Sequence, residues 1–233
     1  MKNGSLIRAI LVTSAALPLF AGTPWPLPLF SSDPKAVLEA ADKRPASTSA
    51  GVILLDYQAT FRFLANGQIG RTQHLVYRVI NDSGAKQLSK ISQAWLSWRV
   101  DKPTIRARVI TRDGIAHMLD SHTITEAGVP AQVEGLYSDL KVLNAPLPAV
   151  APGAVVEIAI EHNDRETVNP GGALEQVNFA SDIPIQYLKL TLEAPAGVPL
   201  HIEERHTTRL ERKETSSGNQ QRVGVVPSAE TNS

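Results

Sequence analysis

The chain has 233 residues, 42% hydrophobic and 20% charged, the size and balance of a globular core that needs no staples. Lysine plus arginine equal aspartate plus glutamate at 23 each, and a net charge of zero argues against a polyanion partner such as nucleic acid, whose binders need a basic excess to release counterions. There is no cysteine, which excludes a thiol nucleophile, a disulfide, a zinc–thiolate site, an iron–sulfur cluster and a lipoprotein anchor.

The first residues read as an export signal. Lys2 and Arg8 form a positive start, and Ala9 to Ala21 ("AILVTSAALPLFA") form an apolar stretch of secretory length. That stretch is shorter than the roughly 20 residues a membrane span needs, and Pro18, Pro24, Pro26 and Pro28 break any longer helix. Residues 1–23 are therefore assigned to a signal peptide cleaved near Ala21–Thr23, and the expected location is periplasmic or secreted. The membrane enters only through that signal.

Residues 24–50 are expected to be a linker with one short helix. Ser32 or Asp33 can cap it, Pro34 suits its first turn, and Val37, Leu38 and Ala41 give it a small apolar face. From Gly51 the hydrophobic period changes to two. Ala59, Phe61 and Phe63 share one face, Asn66-Gly67 turns the chain, and Leu75, Tyr77 and Val79 share a face of the return strand. The same alternation places Ile105, Ala107 and Val109 together before an Asp113-Gly114 turn. It also groups Val156, Ile158 and Ile160, and then Leu188, Leu190 and Leu192. A further strand is expected at Leu200 and Ile202, and a last pair at "TRLERKE" and "QRVGVV". In "LKVLNAPLPAVAPGAVVEIAIEH", residues 140–162, two strands flank a connection whose Pro152-Gly153 supplies turn geometry. Many short strands, each apolar on one face, predict an all-β fold of two sheets packed on their apolar faces, spanning residues 51–226 with a flexible tail at 227–233.

Taken in order, several of these stretches resemble a known family. They are "VILLDYQATFRFLANGQIGRTQHLVYRVINDSGAKQL", the strand and turn "TIRARVITRDGIAHML", the run "YSDLKVLNAPLPAVAPGAVVEIAIEH" with its LP-x-V-x-PG turn, and "PIQYLKLTLEAPAGVPL". Over roughly residues 51–204 the chain resembles the bacterial domain of unknown function found N-terminal to transglutaminase-like domains in exported proteins. The resemblance implies an immunoglobulin-like β-sandwich outside the cytoplasm, beside a thiol-dependent catalytic domain. That catalytic core needs a Cys with His and Asp to activate it. This chain has no Cys and ends at "VPSAETNS", about where such a core would begin. No catalytic residue carries over, and the resemblance implies the accessory part without the enzyme.

Few residues stand out as sites. His201 and His206 flank Glu203 and Glu204, but they match no metalloprotease spacing, and a strand would point them to opposite faces. His162 and Asp164 sit in "EHNDRE" at a strand end, where charged residues ordinarily serve a solvated turn. Trp95 and Trp98, three apart on a strand, face opposite ways, so one belongs to the core and the other is free to stack on a ligand. Ser83 in "NDSGA" lacks the elbow of a hydrolase nucleophile. Trp95, Trp98, His162 and Asp164 are thus the surface candidates, with no catalytic residue, metal ligand or cofactor expected. The leading expectation is a non-catalytic accessory module that docks or positions a protein domain. The alternative is a free-standing binder of carbohydrate or another cell-envelope polymer. A metal-dependent hydrolase built on His162 or His201 ranks last.

Overall fold

The computed structural model describes residues 25, 27–44, 50–129, 138–167, 174–177, 183–195, 197–203, 207–215 and 220–227, the last two segments by backbone only. Helix α1 spans Pro34–Asp42, with Asp33 as the cap: its carboxylate accepts from the amides of Lys35 and Ala36 at 3.0 and 3.1 Å. The strands follow as β1 (Val52–Phe63), β2 (Ile69–Val79), β3 (Lys90–Leu96), β4 (Thr104–Ile110), β5 (Ala116–Met118), β6 (Thr125–Gly128), β7 (Leu140–Pro146), β8 (Val155–Asn163), β9 (Leu188–Ala194), β10 (Thr207–Thr215) and β11 (Gln220–Pro227). A short helix α2 (Asp82–Gln87) follows β2, with Asn81 as its cap.

Two sheets form. The large one has the order β10-β11-β9-β1-β2-β8-β4-β5, and the small one has the order β3-β7-β6. Every ladder between these strands is antiparallel except β1 with β9, which run parallel from Tyr57↔Leu188 to Arg62↔Glu193, and an isolated Leu54↔Ile185 bridge is parallel too. The β7–β8 connection carries the chain from the small sheet to the large one. Its Gly153 has φ 85° after Pro152, and Ala154 N–H bonds the Ala151 carbonyl at 3.0 Å, a turn that favours glycine at this position.

Of the alternating rows read from the sequence, Ala59, Phe61 and Leu190 form a separate cluster with Ile69, while the rows of β2, β4 and β8 face the small sheet. Ala107, Val109, Val156, Ile158 and Ile160 are buried there with Leu88 and Leu147, and Trp95, Leu143 and Ala145 close the far end against Ile105. Each fully buried aliphatic side chain in such a core contributes about 1.5–3 kcal/mol. The sandwich expectation holds.

The opposite face of the large sheet is covered as well, where a solvated polar face was expected. Trp25, Val37 and Ala41 pack onto Ile53, Leu55, Val76, Ile110 and Val155. Beside them Arg108 and Glu157, paired across β4 and β8, form a buried ion pair with Nε to Oε2 at 2.5 Å. Burial raises the Glu157 pKa and the Arg108 charge opposes that rise. Arg108 also donates through Nη1 to the carbonyls of Phe30 and Ser32, while Arg78 bonds the Ala41 carbonyl and Asp42 at the end of α1. Residues read as a linker therefore form a second layer. One expected strand does not form among the described residues: Leu200 to Ile202 belong to no strand there. His206 lies outside the described residues.

Candidate functional site

The inward row of β8 changes character along its length. Val156, Ile158 and Ile160 are apolar, and the same face continues with His162 and then, just past the strand, Asp164. On β2, Arg71 stands directly opposite His162, in the inward row that also holds Ile69, Gln73 and Leu75. Alternation brings these polar groups to one end of the sandwich, where the two sheets part.

Arg71 anchors that end. Its Nη1 bonds Asp164 Oδ1 at 2.7 Å and its Nη2 bonds Glu175 Oε2 at 2.7 Å. Asp164 Oδ2 in turn accepts from the Ile69 amide at 3.1 Å. Burial draws the Arg71 guanidinium down, but its bonds to Glu175 and Asp164 more than reverse this, so it stays charged. His162 is pushed below the ordinary histidine value by burial and then by Arg71, against the pull of Glu175 and Asp164, so its imidazole is neutral at pH 7.

Above these residues opens a groove of about 530 Å³, within the roughly 300–1,000 Å³ range of ligand sites. Phe61, Gln73 and Arg71 form one wall, Trp95, Arg99 and Leu140 the facing one, and Leu174 to Gln176 the third. Two buried polar atoms in the groove, His162 Nε2 and Arg99 Nε, have no hydrogen-bond partner among the described residues. The β1–β2 hairpin is tied to this end: Gln68 Nε2 bonds the Arg165 carbonyl at 2.7 Å, and Thr167 Oγ1 bonds the Asn66 carbonyl at 2.8 Å. Leu96 and Leu174, both exposed, line the groove, and Leu64 and Trp98 are exposed just past the ends of β1 and β3.

The four sequence candidates separate here. Trp95, only 5% exposed, and His162 both line the groove. Trp98 is 49% exposed in the turn after β3, outside the lining. Asp164 is 8% exposed, so it is no surface residue: the Arg71 charge and the Ile69 amide hold it inside. Trp95 likewise belongs to the inter-sheet core and not to the surface. The solvated-turn reading of "EHNDRE" holds for Glu161 and Arg165, whose side chains are 45% and 54% exposed, and fails for Asp164. Arg71, Arg99 and Glu175 escaped the sequence reading, although an arginine in an inward row is itself a signal. Among the described residues no three His, Asp or Glu side chains converge as metal ligands.

The family described as a domain of unknown function with solved structure, DUF3857, matches residues 65–224. No curated protein matches the sequence. Among solved structures, a putative protease from Parabacteroides distasonis is similar in fold, with a TM-score of 0.64 and 14% identity over 78% of this chain and 37% of that one. The chain thus spans just over a third of that protein's length. An M1 zinc metallopeptidase from Deinococcus radiodurans aligns at a TM-score of 0.37 and 10% identity, over 76% of this chain and 42% of that one. A CBM3a-L domain from a Clostridium thermocellum cellulosome scaffoldin aligns at 0.28 and 12%, over 52% and 72%. Neither of these two likenesses bears on function.

Proposed function

The chain belongs to the DUF3857 family of domains of unknown function, and on that premise we propose that it is a non-catalytic accessory module whose end groove docks a protein partner, such as a transglutaminase-like domain. The observation that carries the reading is a groove whose lining sets Arg99 and His162 among the apolar walls of Trp95, Phe61 and Leu174. An arginine in such a wall suits a partner's carbonyl or carboxylate, because hydrogen bonds to a charged group are about twice as strong as neutral ones. Exposed Leu96 and Leu174 in the lining, with Trp98 in the turn after β3, add the apolar contact that protein interfaces favour. Export, supported by Lys2, Arg8 and the apolar run to Ala21, would place the module outside the cytoplasm. Among the described residues no helix is long and apolar enough to cross a membrane.

The second reading, a carbohydrate-binding module, is favoured by Trp98 alone, whose exposed indole offers a face for a sugar ring. Photo-crosslinking in the producing cell separates the two. A photoreactive residue replaces Trp98, and as a control Ile115, which is exposed at the opposite end of the sandwich. Docking predicts a polypeptide adduct from position 98 that carries a Cys–His–Asp core, is lost with Arg99→Ala, and does not form from position 115. Glycan adducts, or equal labelling from both positions, would overturn the docking reading.

A further inference from the structure

A second cavity, of about 350 Å³, lies on the other face of the large sheet, away from the end groove. Trp25, Leu27, Leu29 and Phe30 give it an apolar and aromatic roof. Its floor is polar: Asp56 and Gln58 of β1, His74 of β2 and Arg106 of β4. Asp56 reaches it through a register shift. The β1–β2 pairing passes from Leu54↔Tyr77 to Asp56↔Val76, leaving Leu55 as an extra residue, so Asp56 turns away from the inter-sheet core.

Asp56 is 2% exposed. Its Oδ2 accepts from Gln58 Nε2 at 2.9 Å, and its Oδ1 has no hydrogen-bond partner among the described residues. The cation in the lining does not serve it. Arg106 bonds Glu161 at 3.3 Å, and its guanidinium carbon lies 5.4 Å from the centre of the Phe30 ring. Buried carboxylates are almost always fully hydrogen-bonded, and a half-satisfied one in the lining of a ligand-sized cavity calls for a donor from outside the chain. A charged N–H donor suits it best, because ionic hydrogen bonds are about twice as strong as neutral ones. The aromatic roof favours a cation with an apolar body. Arg106 in the wall disfavours a second positive charge.

We propose that this cavity binds a small primary amine carrying a single positive charge and an apolar body, with its ammonium group on Asp56. The probe is 2-phenylethylamine, titrated into the full chain and read by calorimetry. 3-Phenylpropionate is the control, with a similar body and the opposite charge. Saturable binding of one amine per chain is expected, with the carboxylate and a diamine weaker by about tenfold or more. Asp56→Asn should weaken the amine by a similar factor, while Arg99→Ala, in the other groove, should leave it unchanged. Absence of saturation up to about 10 mM amine, equal affinity for amine and carboxylate, or full affinity in Asp56→Asn would each overturn the proposal. The amine–carboxylate comparison uses the unaltered protein, so the test survives a variant that fails to fold.

Discussion

Asp56→Asn should make the ligand-free protein more stable at neutral pH, by an amount that fades on acidification. Burial raises the Asp56 pKa from 3.8 to about 6, against the Gln58 hydrogen bond and the more distant charges of Arg44 and Lys189. At about 1.4 kcal/mol per pH unit, that difference is worth about 3 kcal/mol. Because the folded value lies above the unfolded one, the folded state holds the proton between pH 4 and 6 while the unfolded chain does not. The favourable contribution is therefore complete below about pH 4 and is lost as pH rises through about 6. At pH 7.5 the folded protein carries the whole cost of a buried ionised carboxylate, and the isosteric amide removes it. For a domain of this size, about 3 kcal/mol corresponds to a rise in Tm of about 6–12 °C. Urea titrations at pH 7.5, 6, 5 and 4, compared between the two proteins, isolate the effect. His74 and His162, both held below the ordinary histidine value first by burial, act with the opposite sign, but they are common to both proteins and largely cancel in the difference. An Asp56→Asn protein less stable at pH 7.5, or a stability difference that does not shrink between pH 7.5 and 4, would refute this account.

Three further outcomes follow from packing. A Cβ on Gly84 would lie 1.8 Å from the Gly51 carbonyl oxygen, so Gly84→Ala forces α2 off the start of β1 and should cost at least about 2 kcal/mol in chemical denaturation. An unchanged denaturation midpoint would show that this helix shifts freely. Ile158→Asp buries an unpaired charge between the sheets and should abolish the cooperative melt, whereas a normal melt would mean that Ile158 does not face the core. Glu157→Ala strands the Arg108 charge and should cost about 3–5 kcal/mol, while replacing both residues with leucine should restore most of the loss. A double variant no better than the single one would assign the pair a role beyond mutual neutralisation, such as holding the Phe30 and Ser32 carbonyls through Arg108.

Periodicity reveals which residues share a face, but not what covers that face. The rows Ile105–Val109 and Val156–Ile160 are legible because their pattern follows directly from strand geometry. Arg106, Arg108, Glu157 and Glu161 occupy the alternate positions and look like one solvated face. Yet Arg108 and Glu157 are buried, while Arg106 and Glu161, the next pair out, are half exposed. The difference lies in the chain before Gly51, which covers one pair fully and leaves the other at its edge. That tertiary contact has no local signature. The parallel β1–β9 pairing is silent for the same reason, since it joins residues more than a hundred positions apart. Helix α2 is too short for a 3.6-residue period to emerge, and its Asn81 cap is also an ordinary turn residue.

The two cavities differ in how much of each the residues betray. In the end groove, Arg71, His162 and Asp164 all fall in inward rows, and a charged residue in such a row marks a place where the core stops being apolar. What single strands cannot convey is that the rows end together, because that depends on the Arg71↔His162 register between β2 and β8. The Asp56 cavity is harder still. Counting alternate positions from the inward Val52 sends Asp56 into the inter-sheet core, where an unpaired carboxylate would be untenable. The extra residue at Leu55 reverses the phase, so that Tyr57, Ala59 and Phe61 face inward and Asp56 faces the second cavity. Nothing in "VILLDYQATF" marks the bulge by composition. The conflict between phases is itself the signal: when one strand has two apolar rows that cannot both be in register, a bulge lies between them. The polar residue at that break is then the first place to look for a site.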